Sequence, residues 1–158
     1  MSHSTIEAIQ TMVAKDHSIS QQLLDLLKTE TLSIQQRDYD SVKKILLSKV
    51  PLLDQLQKHA ELRKQWLISL HKIADEQHWR EFLTSFNIPE VSEQWDTVNQ
   101  TIESCKTINN TNGVLISRSN KTHTQLLRLL KGGATQDTLY TAKGNKQATS
   151  AYHTVAKA

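Results

Sequence analysis

The chain has 158 residues, a length that suits one domain and leaves little room for two. Glycine and proline are scarce, with 4 and 2 copies, and aromatic residues make up only 5% of the chain, which disfavours strands and predicts long helices. The net charge is +3, and the single cysteine excludes an internal disulfide and a cysteine-based zinc site.

The first predicted helix covers residues 5–34. Its apolar residues recur at steps of three and four, and this seam is Ile6, Ile9, Val13, Leu23 and Leu27. Asp16 and Ser20 interrupt the seam.

The second predicted helix covers residues 39–77, with Asp38 or Asp40 as its N-cap. Its seam is Val42, Leu46, Leu53, Leu56, Ala60, Leu67, Leu70 and Ala74. Lys49 and Arg63 occupy two further seam positions, where their stems are expected to cover apolar surface. Because the seam keeps its phase across Pro51, we expect a kink there and no helix end.

Residues 77–90 are predicted to join the second helix to the third. Four large apolar residues in this joint fit one short amphipathic turn of helix: Trp79, Phe82, Leu83 and Phe86. Asn87-Ile88-Pro89 then ends it, and Pro89 is expected near the start of the next helix.

The third predicted helix covers residues 90–131 and has the most regular seam. The seam steps by four and three through Val91, Trp95, Val98, Ile102, Cys105, Asn109, Asn112, Ile116, Ser119, His123, Leu126 and Leu130. A period of 3.5 residues predicts coiled-coil-like packing. The predicted fold is therefore all-α, an antiparallel three-helix bundle over residues 1–131.

The remaining residues, 132–158, have few sizeable apolar side chains and are predicted to be a flexible tail. Charge is divided unevenly, since residues 1–103 have a net charge of −4 and residues 104–158 a net charge of +7. This division indicates a basic end that meets a partner. Nucleic acid is a rival partner, but only Tyr140 and Tyr152 of the basic part could stack on bases.

No pattern of catalytic residues is apparent, so neither an enzyme nor a cofactor is predicted. His71, Asp75 and His78 are predicted to share a helix face, interpreted as a solvated polar face and not as a metal site. Cys105 is interpreted as a buried structural thiol. The N-terminal residues do not resemble a signal peptide, and no apolar run is long enough to cross a membrane, so a cytoplasmic location is expected.

Asn109 and Asn112 put amides on the seam of the third helix, next to Gly113. One interpretation is a polar layer that fixes helix register, and the other is close approach of a partner helix over the glycine. In both interpretations the helix continues through Gly113.

Residues 108–116, 126–132 and 138–144, together with a weaker pattern in the N-terminal part, resemble the FlgN family of flagellar export chaperones. Residues 108–116, INNTNGVLI, are similar to its Leu-Asn-x-x-Asn-Gly-x-Leu-Ile signature. Residues 126–132, LLRLLKG, resemble its leucine-rich helix end, and residues 138–144, TLYTAKG, resemble its Thr-Leu-Tyr-x-x-x-Gly motif, with Thr141 where many relatives have glycine. The N-terminal part, with Glu30, Leu32, Asp38 and residues 49–53, matches a weaker pattern of the family.

The resemblance implies a cytoplasmic chaperone for the hook–filament junction proteins FlgK and FlgL, whose C-terminal amphipathic helices it would cover before export. It also implies docking on the export-gate protein FlhA. The predicted client-binding residues are Asn109, Asn112, Gly113, Leu115, Leu126, Leu127, Leu129 and Leu130. The predicted gate-docking residues are Leu139, Tyr140 and Gly144, although Leu139 and Tyr140 could instead pack on the bundle.

Two other classes of protein fit the helical pattern. A coiled-coil adaptor or structural subunit would self-associate through the third-helix seam, and weak homo-oligomerisation is left open for the chaperone as well. A basic helical protein that binds nucleic acid would do so with steep salt dependence.

Overall fold

The computed structural model describes residues 3–130, with side-chain surroundings described up to residue 118. Four helices follow one another in this range: α1 (His3–Gln35), α2 (Tyr39–Ser69), α3 (Glu76–Thr84) and α4 (Pro89–Leu130). The described residues contain no strand, which confirms the all-α prediction. The predicted tail, residues 132–158, lies outside the described residues.

The start of α2 follows the predicted capping chemistry. Asp38 is the N-cap, and its carboxylate accepts hydrogen bonds from the backbone N–H of Ser41 at 3.1 Å and from the Ser41 hydroxyl at 2.6 Å. These bonds lower the pKa of Asp38, because they stabilise its charged form. The helix then runs through Pro51 without ending there.

The predicted end of the second helix, residue 77, is wrong, because α2 already ends at Ser69. His71 has a φ of 55°, a left-handed conformation that turns the chain out of the helix. Asp75 then caps a new helix, because its carboxylate accepts a hydrogen bond from the backbone N–H of His78 at 2.8 Å. A separate α3 forms inside the predicted joint, and Asn87, with a φ of 55°, lies in the turn that leads to α4.

α4 begins at Pro89, close to the predicted residue 90, and is described as far as Leu130, so the predicted end at residue 131 lies outside the described residues. It passes through Asn112 and Gly113 without a break, as the sequence analysis expected. A β-carbon added at Gly113 would meet nothing within 4 Å, so no close approach within the described chain requires glycine there.

The directions of the helices follow from their side-chain contacts within the compact unit of residues 1–117. Asp16 of α1 pairs with Arg63 of α2, whereas Glu30 pairs with Lys49, so α1 and α2 are antiparallel. Hydrogen bonds from α4 to α1 pair Cys105 with Ser20 and Asn112 with Leu27, so α1 and α4 are parallel. The three long helices therefore run up, down and up, as an antiparallel bundle requires.

The larger core, which we call the aromatic core, lies where α3 joins the long helices. Its ten buried side chains are Ile9, Met12, Val13, Leu67, Trp79, Phe82, Leu83, Val91, Trp95 and Val98. Trp79 lies at its centre, with ring centroids 6.1 Å from Trp66, 5.4 Å from Phe82 and 6.0 Å from Trp95. Aromatic pairs at these distances stabilise packing beyond the area they bury.

The second core cluster is smaller and contains only three buried residues, Leu23, Leu27 and Cys105. Leu24, Leu52, Leu56 and Ile108 pack against it while remaining partly exposed. Apolar burial is thus concentrated at the α3 end. Nearer the α1–α2 turn, buried polar residues take a larger part. No helix in the described part of the chain is long and apolar enough to span a membrane.

Candidate functional site

An apolar groove of about 820 Å³ lies between α2 and α4, with α1 as its floor. Leu23 and Leu27 are the apolar side chains of the floor. Leu53, Leu56, Ala60 and Leu67 form the α2 wall, and Trp95, Val98, Ile102, Cys105 and Asn109 form the α4 wall. The α4 wall spans about 21 Å at 1.5 Å per helical residue, a length that suits about four turns of another helix.

Residues of α3 and the turn before it line one end of the groove: Ala74, Asp75, Glu76 and Trp79. One carboxylate oxygen of Glu76 accepts hydrogen bonds from Trp95 Nε1 and Asn99 Nδ2, each at 2.8 Å. Arg80 of α3 also pairs with Asp96 of α4. These bonds fix α3 against α4, so this end of the groove has a defined shape.

The α2 wall is attached to the floor by a buried carboxylate. Asp16 is 1% exposed, and its two oxygens lie 2.5 Å from His59 Nδ1 and 2.7 Å from Arg63 Nη1. The Arg63 guanidinium also lies 4.7 Å from the centre of the Trp95 ring, within range of a cation–π contact. Burial lowers the pKa of Arg63, while Asp16 acts in the opposite direction, and the guanidinium stays charged at neutral pH.

A second buried carboxylate joins all three long helices. Glu30 is 3% exposed, and its carboxylate lies 2.5 Å from Lys49 Nζ and accepts a hydrogen bond from Asn112 Nδ2 at 2.9 Å. The same Asn112 amide donates to the carbonyl oxygen of Leu27 at 3.1 Å, and its own oxygen accepts the Thr31 hydroxyl at 2.7 Å. Every polar group of the Asn112 side chain is therefore bonded to α1.

These two polar contacts explain how the groove stays open. A buried charge is costly unless it is paired, so Asp16 and Glu30 require the cations of α2 to stay in place. They hold α2 against α1 without requiring α2 and α4 to meet along their length. Leu53 of the α2 wall is thereby left half exposed, and Leu56, Ala60 and Ile102 stay partly exposed to the groove.

Cys105 is buried, as the sequence analysis expected, and its Sγ lies 3.8 Å from the carbonyl oxygen of Ser20. Burial raises the pKa of this thiol, with a smaller opposite effect of Lys28. A protonated, buried thiol is a weak nucleophile, so Cys105 contributes packing to the groove wall.

The predicted polar face of His71, Asp75 and His78 is wrong, because His71 and Asp75 lie in the turn between α2 and α3. Asp75 accepts hydrogen bonds from the backbone and from the ring of His78, and both bonds lower the pKa of Asp75. Among the described residues, no cluster of three histidine, cysteine or acidic side chains could hold a metal ion.

The predicted client-binding residues lie in different surroundings. Asn109 is exposed and lines the groove. Asn112 is 1% exposed and bonded within the bundle, as in the polar-layer interpretation. Gly113 is exposed and Leu115 is partly buried.

Leu126, Leu127, Leu129 and Leu130 fall within α4, but their side chains lie outside the described surroundings. The predicted gate-docking residues Leu139, Tyr140 and Gly144 lie outside the described residues altogether.

Sequence reasoning missed the α2 wall as part of a site and the ion pairs behind it. Lys49 and Arg63 were expected to cover apolar surface with their stems, but their charged ends also meet buried carboxylates, which that expectation did not include. A signal was present, since Asp16 interrupts the seam of the first helix and Arg63 interrupts that of the second. Opposite charges on two facing seams predict a pair across the interface.

A family model described as FlgN protein matches residues 1–148 of the chain. No curated protein matches. No solved structure matches either.

Proposed function

The chain belongs to the FlgN family, a family of flagellar export chaperones, and from this premise we propose that the groove between α2 and α4 binds its clients. The clients we propose are FlgK and FlgL, bound through their C-terminal amphipathic helices. The bound helix would lay its apolar face against the two walls and the floor.

The observation that carries this proposal is an apolar groove of about 820 Å³ whose walls are two long helices. A helix of about 14 residues matches the 21 Å span of the α4 wall. Its apolar side chains would occupy space that Leu53, Ala60 and Ile102 now border. Removing such a stripe from water favours binding by about 25 cal/mol per Å² of apolar surface and hides the surface through which clients would self-associate.

Ala60→Glu tests this proposal, because Ala60 lies in the α2 wall and a glutamate there would put a charge into the groove. We expect the affinity for the C-terminal segment of FlgK, measured by calorimetry, to fall at least about tenfold. The matched control is Leu62→Glu, which adds the same carboxylate at an exposed leucine of α2 that is not part of the groove. Equal affinities of Ala60→Glu and wild type, with helix content unchanged, would contradict the proposal.

The leucines at the end of α4 are the site that the sequence resemblance implies. We propose that Leu127 and Leu129 extend the client surface beyond the groove. Replacing both with glutamine should weaken client binding while the protein stays helical. If only this double substitution weakens binding and Ala60→Glu does not, the client site is the leucine stripe and not the groove.

We also propose that Leu139 and Tyr140 dock on FlhA, as the resemblance implies. An aromatic ring with a polar tip is suited to anchoring in a partner's pocket. Tyr140→Ala should weaken binding to FlhA while client affinity and melting temperature stay nearly unchanged. A large fall in melting temperature would instead show that Tyr140 packs on the bundle.

A further inference from the structure

α2 carries a second apolar surface, on the side turned away from α1. We call it the outer face, and its four apolar residues are Leu46, Leu47, Val50 and Leu53. Leu47 is 66% exposed, Val50 57%, and the other two are at least half exposed. Four large apolar side chains together on one exposed helix face are unusual for a monomer and indicate an interaction site.

The outer face is distinct from the surface that packs on α1. At 100° per residue, Leu46, Leu47 and Leu53 fall within 60° of Val50, whereas Leu52, which packs against the second core cluster, falls about 160° away. Most of the groove wall lies between these directions, while Leu53 and Gln57 are shared by the wall and the outer face. A partner on the outer face therefore leaves most of the groove free.

The charged residues on the outer face indicate which partner could bind it. Lys43 and Asp54 lie on the same face as Val50, within about 40° of it, with the cation on the N-terminal side of the apolar patch and the anion on the C-terminal side. Asp54 is exposed and its present partner, Lys58, is an exposed neighbour on the next turn, so Asp54 can be shared. A helix with this order of charges is complementary in charge to a second copy of itself that packs against it antiparallel.

We propose that a second copy of this chain binds the outer face, with the two α2 helices packed antiparallel about a two-fold axis near Val50. In this register Leu46 of one copy meets Leu53 of the other, and Val50 meets Val50. Lys43 of each copy lies near Asp54 of the other, so the same ion pair forms twice, as an isologous interface requires. A parallel arrangement would instead oppose Lys43 to Lys43.

The first test is sedimentation velocity of the full chain from about 5 µM to about 500 µM, the range in which a contact of this size should dissociate. Wild type should shift from monomer to dimer as concentration rises. Val50→Glu should remain monomeric, because it places two carboxylates at the axis. Leu62→Glu, on the same helix but about 120° from Val50, should dimerise like wild type. Circular dichroism checks that each variant stays helical, and Leu47→Gln replaces Val50→Glu if helix content falls.

The second test is a charge exchange that addresses the register. Lys43→Asp and Asp54→Lys should each weaken dimerisation several-fold, because each puts like charges together twice. The double variant restores opposite charges across the axis and should recover most of the wild-type affinity. A wild type that is monomeric throughout, a dimer that Val50→Glu leaves intact, or a double variant no better than the singles would each overturn the proposal.

Discussion

At the α3 end of the bundle, three indole rings and two phenylalanines fill the space between helices. Toward the α1–α2 turn, by contrast, Glu30, Lys49 and Asn112 join the same long helices through buried ionic and hydrogen bonds. Apolar packing at the α3 end depends on the shape and volume of the side chains, and it tolerates small shifts in their positions. The polar contact at the second end needs each partner present, because a lone buried charge is strongly destabilising.

The difference bears on function, because the groove runs between these two regions. The aromatic core fixes the α3 end of both walls, while the charge pairs fix α2 to the floor farther along. Neither device needs α2 to pack on α4 over the whole length. We infer that a client helix packs between α2 and α4, in the groove that no helix of the described chain fills.

The largest loss of stability is expected for Trp79→Ala. Trp79 is 2% exposed and contacts Trp66, Phe82 and Trp95, so its removal should cost about 3 to 5 kcal/mol in urea denaturation. Trp79→Phe is the control. Among the residues that the structure describes, none accepts a hydrogen bond from the indole N–H of Trp79, so the control loses volume and none of the described hydrogen bonds. A loss below about 1 kcal/mol for alanine would show that the aromatic core is not the main source of stability at this end.

Glu30→Ala is expected to have the second-largest effect and to lower the free energy of unfolding by about 3 kcal/mol in the same measurement. The reason is that it leaves the Lys49 ammonium buried without its carboxylate. The double variant Glu30→Met, Lys49→Met removes both charges together. It should lie within about 1 kcal/mol of wild type, as buried ion pairs replaced by apolar residues often do. If the double variant is as unstable as Glu30→Ala, the pair itself, and not the unpaired charge, determines the stability of this end.

The labelling rate of Cys105 reports how readily the second core cluster opens. The thiol is buried and its pKa is raised, so reaction with a disulfide reagent at pH 8 should be at least about 100-fold slower than in urea-unfolded protein. Glu30→Ala should speed the reaction in the folded protein, since it weakens the contacts beside this cluster. Fast labelling of wild type would mean that this region opens freely.

The smallest effects are expected at the helix caps, one in each region. Asp75→Ala at α3 and Asp38→Ala at α2 should each lower the melting temperature slightly at pH 7. Folding lowers the pKa of both carboxyls from 3.8, so their charged forms stabilise the fold above that pH. This contribution is lost as the pH falls through the pKa of the folded state, where variant and wild-type melting temperatures should converge. A difference that persists at lower pH would exclude the carboxylate charge as its cause.

Local rules of sequence accounted for much of the fold. The 3.5-residue seams predicted long helices, and residues such as Asp38 and Pro89 marked where helices begin. The seam of α4 also predicted a continuous helix through Gly113, although glycine disfavours helix. Each of these features depends on residues close in sequence, which is why the sequence alone sufficed.

The groove could not be predicted in the same way, because it depends on which seam positions stay uncovered. Leu53 and Leu67 lie on one predicted seam, yet Leu53 is half exposed and Leu67 is buried. The end of α2 at Ser69 could not be predicted either, because it depends on the turn that contains His71 and Asp75. In sequence, a polar turn of this kind resembles the exposed face of a helix. Tertiary contacts with α1 and α3 decide both outcomes.

The most direct test of the central claim is site-specific photocrosslinking to the FlgK C-terminal segment. A photoactivatable residue at Lys64, which lines the groove, should crosslink to the segment, and unlabelled segment should compete. The same residue at Leu62, on the same helix but outside the groove, should give little product. Equal crosslinking at both positions, or product only at Leu62, would contradict the assignment of the client site to the groove between α2 and α4.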